Sequence, residues 1–358
     1  MRVLAVVVCL LLAASLSALA TVGSGLGTGH AGSAEPSSSG PPAAAAQFLA
    51  AYARPDGRVS RPDQGGDTVS EGQAYGLLLA EVAGRDDLFG RVWQWTQDHL
   101  QRPDGLFAWH ADAAGHVLDP GSASDADLLI AWALLRYQGP GAASAHQDGK
   151  QVAGAILARE VSVIGPARTP VLTAGPWAAG HPATLDPSYW SLPALTGLAS
   201  LTGNHQWLQI ADGAVSLTAK LTRNGAQLPP DWAGMTADGA VYPEAQYGLD
   251  AQRTVVWFAA SCDPQARALA ARWWRLLRLP GRSSALALSL NGAIITPAAN
   301  ALPFVATAAA ADAAGAADAS RSMLSRAASQ QRRHPGYYGG AWAAFGPTLL
   351  DSSLLNGC

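Results

Sequence analysis

Hydrophobic positions recur at intervals of three and four residues along most of this 358-residue chain. Residues at that spacing share one face of an α-helix, and Trp207, Ile210, Ala211 and Ala214 form one such face. The pattern predicts twelve helices, and their approximate bounds are 44–53, 71–84, 86–101, 124–138, 147–160, 188–202, 205–222, 247–261, 264–279, 298–313, 316–333 and 337–351.

The segments between the predicted helices alternate between tight turns, such as Gly203-Asn204, and long loops. The long loops are 54–70, 102–123, 161–187 and 223–246. This alternation predicts an all-α fold, an (α/α)6 barrel in which six helix hairpins close into a ring with every second helix inside. Ser70, Ser124 and Asp263 stand where cap residues would begin three of the helices. Long loops carry function more often than tight turns do, so we expect the site at the long-loop end.

The first 43 residues have a different character. A positive second residue, a nearly continuous apolar run over 3–16 and a small-x-small pattern at 18–20 predict a secretory signal peptide over 1–20. An uncleaved membrane anchor is the alternative, although the run is short for a full span. Gly, Ser, Ala and Pro dominate 21–43, which predicts a disordered linker. These boundaries leave 44–358 as the catalytic domain and predict a secreted or cell-envelope protein.

Composition and charge narrow the class of protein. The chain is 49% hydrophobic with a formal net charge of −3, and its Lys and Arg residues form no basic stripe, which argues against nucleic acid as a partner. Outside the signal segment, Cys262 and Cys358 can form a disulfide or remain two separate thiols. No Cys/His cluster has zinc-ligand spacing. We expect no metal or other cofactor, no stable membrane insertion after signal cleavage, and a monomer.

Acidic residues stand at the starts of predicted inner helices. They are Glu71, the pair Asp125 and Asp127, and Asp250, with Arg253 three residues further on. Hydrolysis of a glycosidic bond needs a carboxylic acid to protonate the leaving oxygen and a second carboxylate to activate water or attack. Each motif alone has a plainer explanation, namely a helix-capping Glu, a cap beside a solvated acid, or a surface ion pair.

Aromatic residues accompany these acids. Twelve tryptophans are present, and about two thirds of them are expected in the core. Those in loops or at helix starts near the acids are better explained as platforms on which sugar rings stack. The candidate substrate-binding aromatics are Trp109, Trp177, Tyr189, Trp232 and Tyr337, together with Tyr75, which lies one turn from Glu71.

Taken together, the motifs resemble glycoside hydrolase family 8, the cellulase family of endo-β-glucanases. The resemblance runs from about Phe48 to Leu350. Five motifs occur in order, Ser-Glu-Gly-Gln-x-Tyr-Gly at 70–76, Gly-Leu-x-Ala-Trp at 105–109, Ala-Ser-Asp-Ala-Asp-x-x-Ile-Ala at 123–131, Pro-Ser-Tyr at 187–189 and Asp-Ala-x-Arg at 250–253. The resemblance implies a barrel of six helix pairs, which agrees with the twelve helices counted from periodicity.

The resemblance also implies roles. Family members invert anomeric configuration, and Glu71 matches the general acid while Asp250 matches the general base. Asp125 matches a third acid that binds the distorted sugar and orients the attacking water. Trp109 and Tyr189 match sugar-contacting positions.

Other positions matter less directly or depart from the family. Arg253 matches the arginine beside the base, and Asp127 is expected to support the fold. Leu249 stands where relatives often have Tyr, and Leu129 stands where many carry a further Asp. The first change removes a hydroxyl near the base or its water and puts the rate in question.

The leading interpretation is a secreted endo-β-1,4-glucanase acting on β-glucan polysaccharide. Xylan, mixed-linkage β-glucan and chitosan remain alternatives with the same chemistry, although an Asp at 250 favours the glucanase and xylanase branch. An inactive glycan-binding protein on the same barrel is an alternative of another class. A helical barrel that processes lipids or isoprenoids is disfavoured by the loop aromatics and the missing metal motif.

Overall fold

A computed structural model describes residues 40–165, 168–297 and 300–355. These residues form twelve α-helices, so the predicted number is confirmed. The helices are α1 Pro41–Tyr52, α2 Ser70–Val82, α3 Asp86–Leu100, α4 Ser124–Arg136, α5 Ala142–Arg159, α6 Leu192–Thr202, α7 Gln206–Leu221, α8 Leu249–Ala259, α9 Pro264–Leu277, α10 Leu302–Ala313, α11 Ala317–Arg333 and α12 Tyr337–Leu350.

The even-numbered helices form a closed inner ring. Each of α2, α4, α6, α8 and α10 contacts the next even-numbered helix, and α12 contacts α2. The odd-numbered helices pack outside this ring, with α3 on α2, α5 on α4, α7 on α6, α9 against α8 and α10, α11 against α10 and α12, and α1 against α12 and α2. This arrangement is the predicted (α/α)6 barrel.

Composition separates the two layers. Inner helix α4 is buried from Ser124 to Leu135 without a break, because it meets neighbours on every side. Inner helix α10 is rich in alanine, and small side chains let adjacent helices approach closely. Outer helix α11 buries only Ser320 and Ala327 among residues that are otherwise partly or fully exposed.

Helix starts differ in part from the predictions. Asp263 caps α9 as expected, because its side chain accepts a hydrogen bond from Ala266 N at 2.7 Å. The expectation for Ser70 and Ser124 is wrong, since each is the first helical residue and no side chain caps α2 or α4. The Ser124 hydroxyl instead donates to Thr173 O at 2.6 Å.

Several boundaries also move. Helix α5 begins at 142 rather than 147, after Gly141 adopts a left-handed turn at φ 83°. Helix α6 begins at 192 rather than 188, because 187–189 forms a separate 3-10 turn. Helix α1 begins at Pro41, inside the predicted linker.

Some predictions concern residues outside the described ones. The signal peptide, most of the linker, the predicted start of α10 at 298 and Cys358 all lie there. Cys262 is disulfide-bonded. Within the described ranges, no helix combines the length and apolar character needed to cross a bilayer.

The loops between helices carry short antiparallel strands that the periodicity did not predict. They are β1 Thr68–Val69, β2 His110–Ala111, β3 Val117–Asp119, β4 Val161–Ile164, β5 Thr169–Leu172, β6 Ala183–Leu185, β7 Ala233–Met235, β8 Val241–Pro243, β9 Gln246–Tyr247, β10 Ala287–Ser289 and β11 Ile294–Thr296. They pair in the orders β1-β2-β3, β4-β5, β6-β7-β8 and β11-β10-β9. These small sheets fix the loops that lead into α2, α4, α6, α8 and α10.

Candidate active site

Three acidic residues occupy the same position on three inner helices. Glu71, Asp125 and Asp250 are each the second residue of their helices, α2, α4 and α8. The N-terminus of a helix carries partial positive charge, which favours acidic groups there. The sequence predicted all three, and the structure brings them together around one arginine.

Arg253 is the centre of this cluster and is only 3% exposed. Its Nη1 donates to Glu71 Oε2 and to Asp125 Oδ2, both at 2.8 Å. Its Nη2 donates to Asp250 Oδ1 at 3.0 Å. The planar guanidinium therefore holds Glu71 and Asp250 on different nitrogens of one rigid fork. The sequence predicted only the pair with Asp250, three residues away.

The carboxyl groups of the cluster differ in their exposure and in their pKa shifts. Burial raises the pKa of Glu71 to about 7, and the negative charges of Asp125 and Asp250 contribute to the rise, while Arg253 opposes it. Burial also raises the pKa of Asp125, again against the influence of Arg253. Asp250 is the most open of the three, with 39% of its side chain exposed, against 19% for Glu71 and 7% for Asp125. Glu71 can thus retain a proton near neutral pH beside a solvent-facing carboxylate.

Two further aspartates belong to the site and were not predicted as part of it. Asp186 is buried, lies 3.9 Å from Arg253 Nη2, and accepts a hydrogen bond from Ser188 N at 2.8 Å. Burial and Asp250 raise the pKa of Asp186 well above its usual range. The only sequence signal was its position ahead of Pro187 at an inner-helix start.

Asp231 supports the start of α8 from a distant loop. Its Oδ1 accepts hydrogen bonds from Gly248 N at 2.8 Å and Ala251 N at 2.9 Å. Burial and then Asp250 raise the pKa of Asp231 to about 6. No sequence spacing links it to Asp250, so the contact could not be predicted.

Tyr338, which follows Tyr337 at the start of the last inner helix, also belongs to the site. It lies in the first turn of α12, and its hydroxyl is buried without a hydrogen-bond partner in the described part of the chain. Burial raises its pKa well above the usual value, and Glu71 and Asp250 add to this effect while Arg253 opposes it. Leu249, by contrast, is half-buried against the core and offers no hydroxyl.

Four of the predicted aromatics lie in the loops at the end of the barrel where the inner helices begin. The carbonyl of Trp109 accepts a hydrogen bond from Ser70 N at 3.0 Å, which fixes it beside the start of α2. The Tyr189 ring lies 5.4 Å from the Arg253 guanidinium and meets Trp232 edge-on at 5.9 Å. Trp177 is 54% exposed.

Trp177 borders a surface cavity of about 550 Å³. Its indole Nε1 donates to Ser122 O at 3.0 Å, which holds the ring in place. The cavity is also lined by the ion-paired Arg102 and Asp104. It therefore combines an accessible aromatic face with charged groups.

Two predicted substrate-binding residues lie in the core instead. Tyr75 is 0% exposed and packs edge-on against Trp342 and Phe345. Tyr337 is 3% exposed, and its ring lies against aromatic side chains of α1. Neither ring has a free face, which corrects the expectation that both contact a sugar. Eight of the twelve tryptophans are buried, in agreement with the predicted proportion.

The arrangement can supply a proton and a carboxylate to a bond held between them, and comparison with known proteins agrees with this chemistry. The curated "Probable endoglucanase" of Novacetimonas hansenii is 33% identical over 243 residues, covering 63% of this chain and 70% of that protein. The "Endoglucanase" of Cellulomonas uda is 29% identical over 238 residues, covering 63% of this chain and 65% of its own length. The match thus spans about two thirds of these relatives.

A solved structure shows the same fold over more of the chain. The endo-beta-1,4-glucanase CMCax from Acetobacter xylinum is 27% identical and superposes with a TM-score of 0.70, covering 86% of this chain and 97% of that one. The sequence profile described as "Glycosyl hydrolases family 8" matches residues 7–270. Because this match covers well over half of the chain and includes all the acidic residues gathered around Arg253, the chain belongs to family 8 of the glycosyl hydrolases.

Proposed function

We propose that this protein is an inverting endo-β-1,4-glucanase that hydrolyses β-linked glucan. The observation that carries the proposal is the Arg253 cluster, in which Glu71, with a pKa of about 7, and the more exposed Asp250 sit on different guanidinium nitrogens. The names of the similar proteins support the choice of substrate.

Glu71 is the proposed general acid. It gives its proton to the glycosidic oxygen as the bond from that oxygen to the anomeric carbon breaks. Asp250 is the proposed general base, and it takes a proton from the water whose oxygen bonds to the anomeric carbon from the opposite face. Such a pair must leave room for the water, with a separation of roughly 6.5–9.5 Å between the carboxyl groups of an inverting enzyme.

Asp125 is the proposed third acid. It shares Arg253 Nη1 with Glu71, so its charge acts directly on the proton donor. We propose that it binds the sugar at the cleavage point and orients the attacking water. Its negative charge also raises the pKa of Glu71, which keeps the acid protonated.

The partly exposed aromatics are the proposed sugar platforms. Trp109 and Tyr189 lie beside the acids, and Trp177 and Trp232 lie further along the loops. A ring with one apolar face and a polar edge suits a sugar, whose faces are apolar and whose rim carries hydroxyls.

We also propose that the protein is exported, because residues 1–20 have the pattern of a signal peptide. Mass spectrometry of the protein recovered from the medium or envelope of the producing cell would test this. A mature N-terminus close to residue 21 is expected, whereas an intact Met1 in a cytosolic fraction would contradict export.

The decisive experiment compares hydrolysis of soluble cellulose derivative, mixed-linkage β-glucan, xylan and chitosan, with the anomer of the first product followed by NMR. Initial release of the α-anomer from the cellulose derivative is expected, and β-anomer would contradict inversion. If xylan or chitosan is cleaved faster than the cellulose derivative, that polymer would replace β-glucan as the proposed substrate. If a folded protein binds glucan and cleaves none of the four, the result favours the binding-protein alternative. Leu249 would then be the first residue to examine as the cause.

A further inference from the structure

A second group of buried acids lies behind Asp125 and is not used by the proposed mechanism. Asp127, in the first turn of α4, and Glu160, which follows the last residue of α5, are both 0% exposed. Their carboxyl groups are neighbours, since each perturbs the pKa of the other. Sequence analysis assigned Asp127 only a supporting role and did not single out Glu160.

The donors around this pair satisfy one oxygen of each residue. Phe107 N donates to Asp127 Oδ1 at 3.0 Å, and the Ser122 hydroxyl donates to Glu160 Oε1 at 3.0 Å. The remaining oxygens, Asp127 Oδ2 and Glu160 Oε2, receive no N–H or O–H donor from other described residues. Two carboxylate oxygens hydrogen-bond each other only when a proton lies between them. These two buried oxygens can therefore satisfy each other only if at least one of the two groups is protonated.

The surrounding charges favour retention of that proton. Burial raises the pKa of Glu160 to about 8, and the charge of Asp125 adds to the rise while Arg102 opposes it. Burial raises the pKa of Asp127 well above its usual range, and Glu160 and Asp125 contribute. Arg102 is itself ion-paired with Asp104 at 2.8 Å, which weakens its influence on the pair.

Glu160 also holds two other segments that border the site. Its backbone carbonyl accepts hydrogen bonds from Thr173 N at 2.8 Å and Thr173 Oγ1 at 2.9 Å, and the Thr173 carbonyl accepts one from Ser124. Ser122, which donates to Glu160, accepts the indole N–H of Trp177 through its carbonyl. One buried residue thus ties together the start of α4 and the loop that carries Trp177.

We propose that Asp127 and Glu160 share a proton as a buried acid pair, and that this pair positions both the Asp125 end of α4 and the Trp177 loop. Loss of the proton places two negative charges in contact in a buried site and loosens both segments. The pair is a positioning element, since neither residue needs to touch substrate. The inference deepens the proposed function through Asp125, but its test requires no glucan, so the two can fail separately.

The key variant is Asp127→Asn. The amide oxygen can accept from Phe107 N, and the amide NH2 can donate to Glu160, so every contact survives without a shared proton. For a carboxyl group whose folded pKa is raised, stability falls as pH rises from the unfolded pKa to the folded one. The melting temperature of Asp127→Asn minus that of wild type should therefore be greater at pH 9 than at pH 5, by about 3 °C or more.

Three companion variants control for other effects. Glu160→Gln is the mirror substitution and should show the same sign if Asp127→Asn does not fold. Asp127→Leu keeps the branched shape of the side chain, with more bulk and no hydrogen bonds, and should destabilise at every pH. Asp148→Asn on α5 removes a carboxylate that accepts a hydrogen bond from Trp93 Nε1 and not from another acid. The difference in melting temperature between this variant and wild type should not change with pH.

Hydrogen exchange then tests positioning directly. At pH 9, amides of 122–128 and 172–178 should exchange about tenfold faster in wild type than in Asp127→Asn after correction for intrinsic rates, whereas at pH 6 the two proteins should match. A melting-temperature offset that is constant from pH 5 to pH 9 in both Asp127→Asn and Glu160→Gln would overturn the shared proton. Equal exchange in these segments at pH 9 would overturn the positioning role.

Discussion

Replacement of Glu71 by Gln gives the sharpest test of the proposed mechanism. The amide keeps the size of the side chain and can still contact Arg253, but it has no acidic proton. Positioned general acids contribute roughly 10²- to 10⁴-fold to rate, so kcat on a cellulose-type polymer should fall by about that factor. Substrates with a strongly acidic aryl leaving group need little protonation and should lose much less.

The pH dependence supplies a second magnitude. Glu71 acts in its protonated form, which predominates below its pKa of about 7 and is lost as pH rises through that value. About half of such a group is protonated at its pKa and only about 1% two pH units above it, so kcat/KM of the wild type should fall roughly 50-fold between pH 7 and pH 9. The residual activity of Glu71→Gln should lack this alkaline decline.

Glu81→Gln is the matched control on the same helix. Glu81 is a partly buried carboxylate paired with Arg136 at 3.0 Å, away from the Arg253 cluster. This variant should keep the alkaline decline of the wild type and lose little kcat. The reasoning is refuted if Glu71→Gln retains the same decline, or if polymer and aryl substrate lose rate by equal factors.

Three other predictions follow. Arg253→Met leaves buried acids without their cation and should lower the free energy of unfolding by about 3–5 kcal/mol at pH 7. The loss should be smaller near pH 5, because acids with raised pKa then take up protons. Denaturant unfolding at both pH values checks this, and an equal loss at both would contradict it. Trp177→Ala should raise KM for polymer several-fold with little change in kcat, while Trp274→Ala on outer helix α9 should leave KM unchanged. Intact mass with and without reductant should differ by two hydrogens if Cys262 pairs with Cys358, and labelling of both thiols in the unreduced protein would exclude the bridge.

Periodicity predicted the barrel well because helix faces are local features of a sequence. Residues three or four apart must share a face, so all twelve helices and most of their bounds were recoverable. The strands were not, since strands of two to four residues carry too little alternation to be distinguished from loop. The caps of α2 and α4 were misread for another reason, because Ser70 and Ser124 resemble cap residues but are the first residues of their helices.

The site was predictable only in part, because its contacts join distant segments. Arg253 reaches Glu71 across 182 positions, and no spacing pattern marks such a pair. Asp231 was missed for the same reason. Tyr75 shows the converse error, since proximity in sequence to an acid does not decide which way a ring points on a helix buried on all sides.

The contact of α1 with α12 makes the barrel a cyclic object in which the first and last helices are neighbours. The exposed turn at Gly203-Asn204 lies between α6 and α7, outside the long loops. A circularly permuted protein, joined between α12 and α1 and opened at this turn, would keep every inner-helix start intact. The order in which the six hairpins are synthesised is therefore separable from the geometry of the site, which leaves the turns free for fusion or immobilisation.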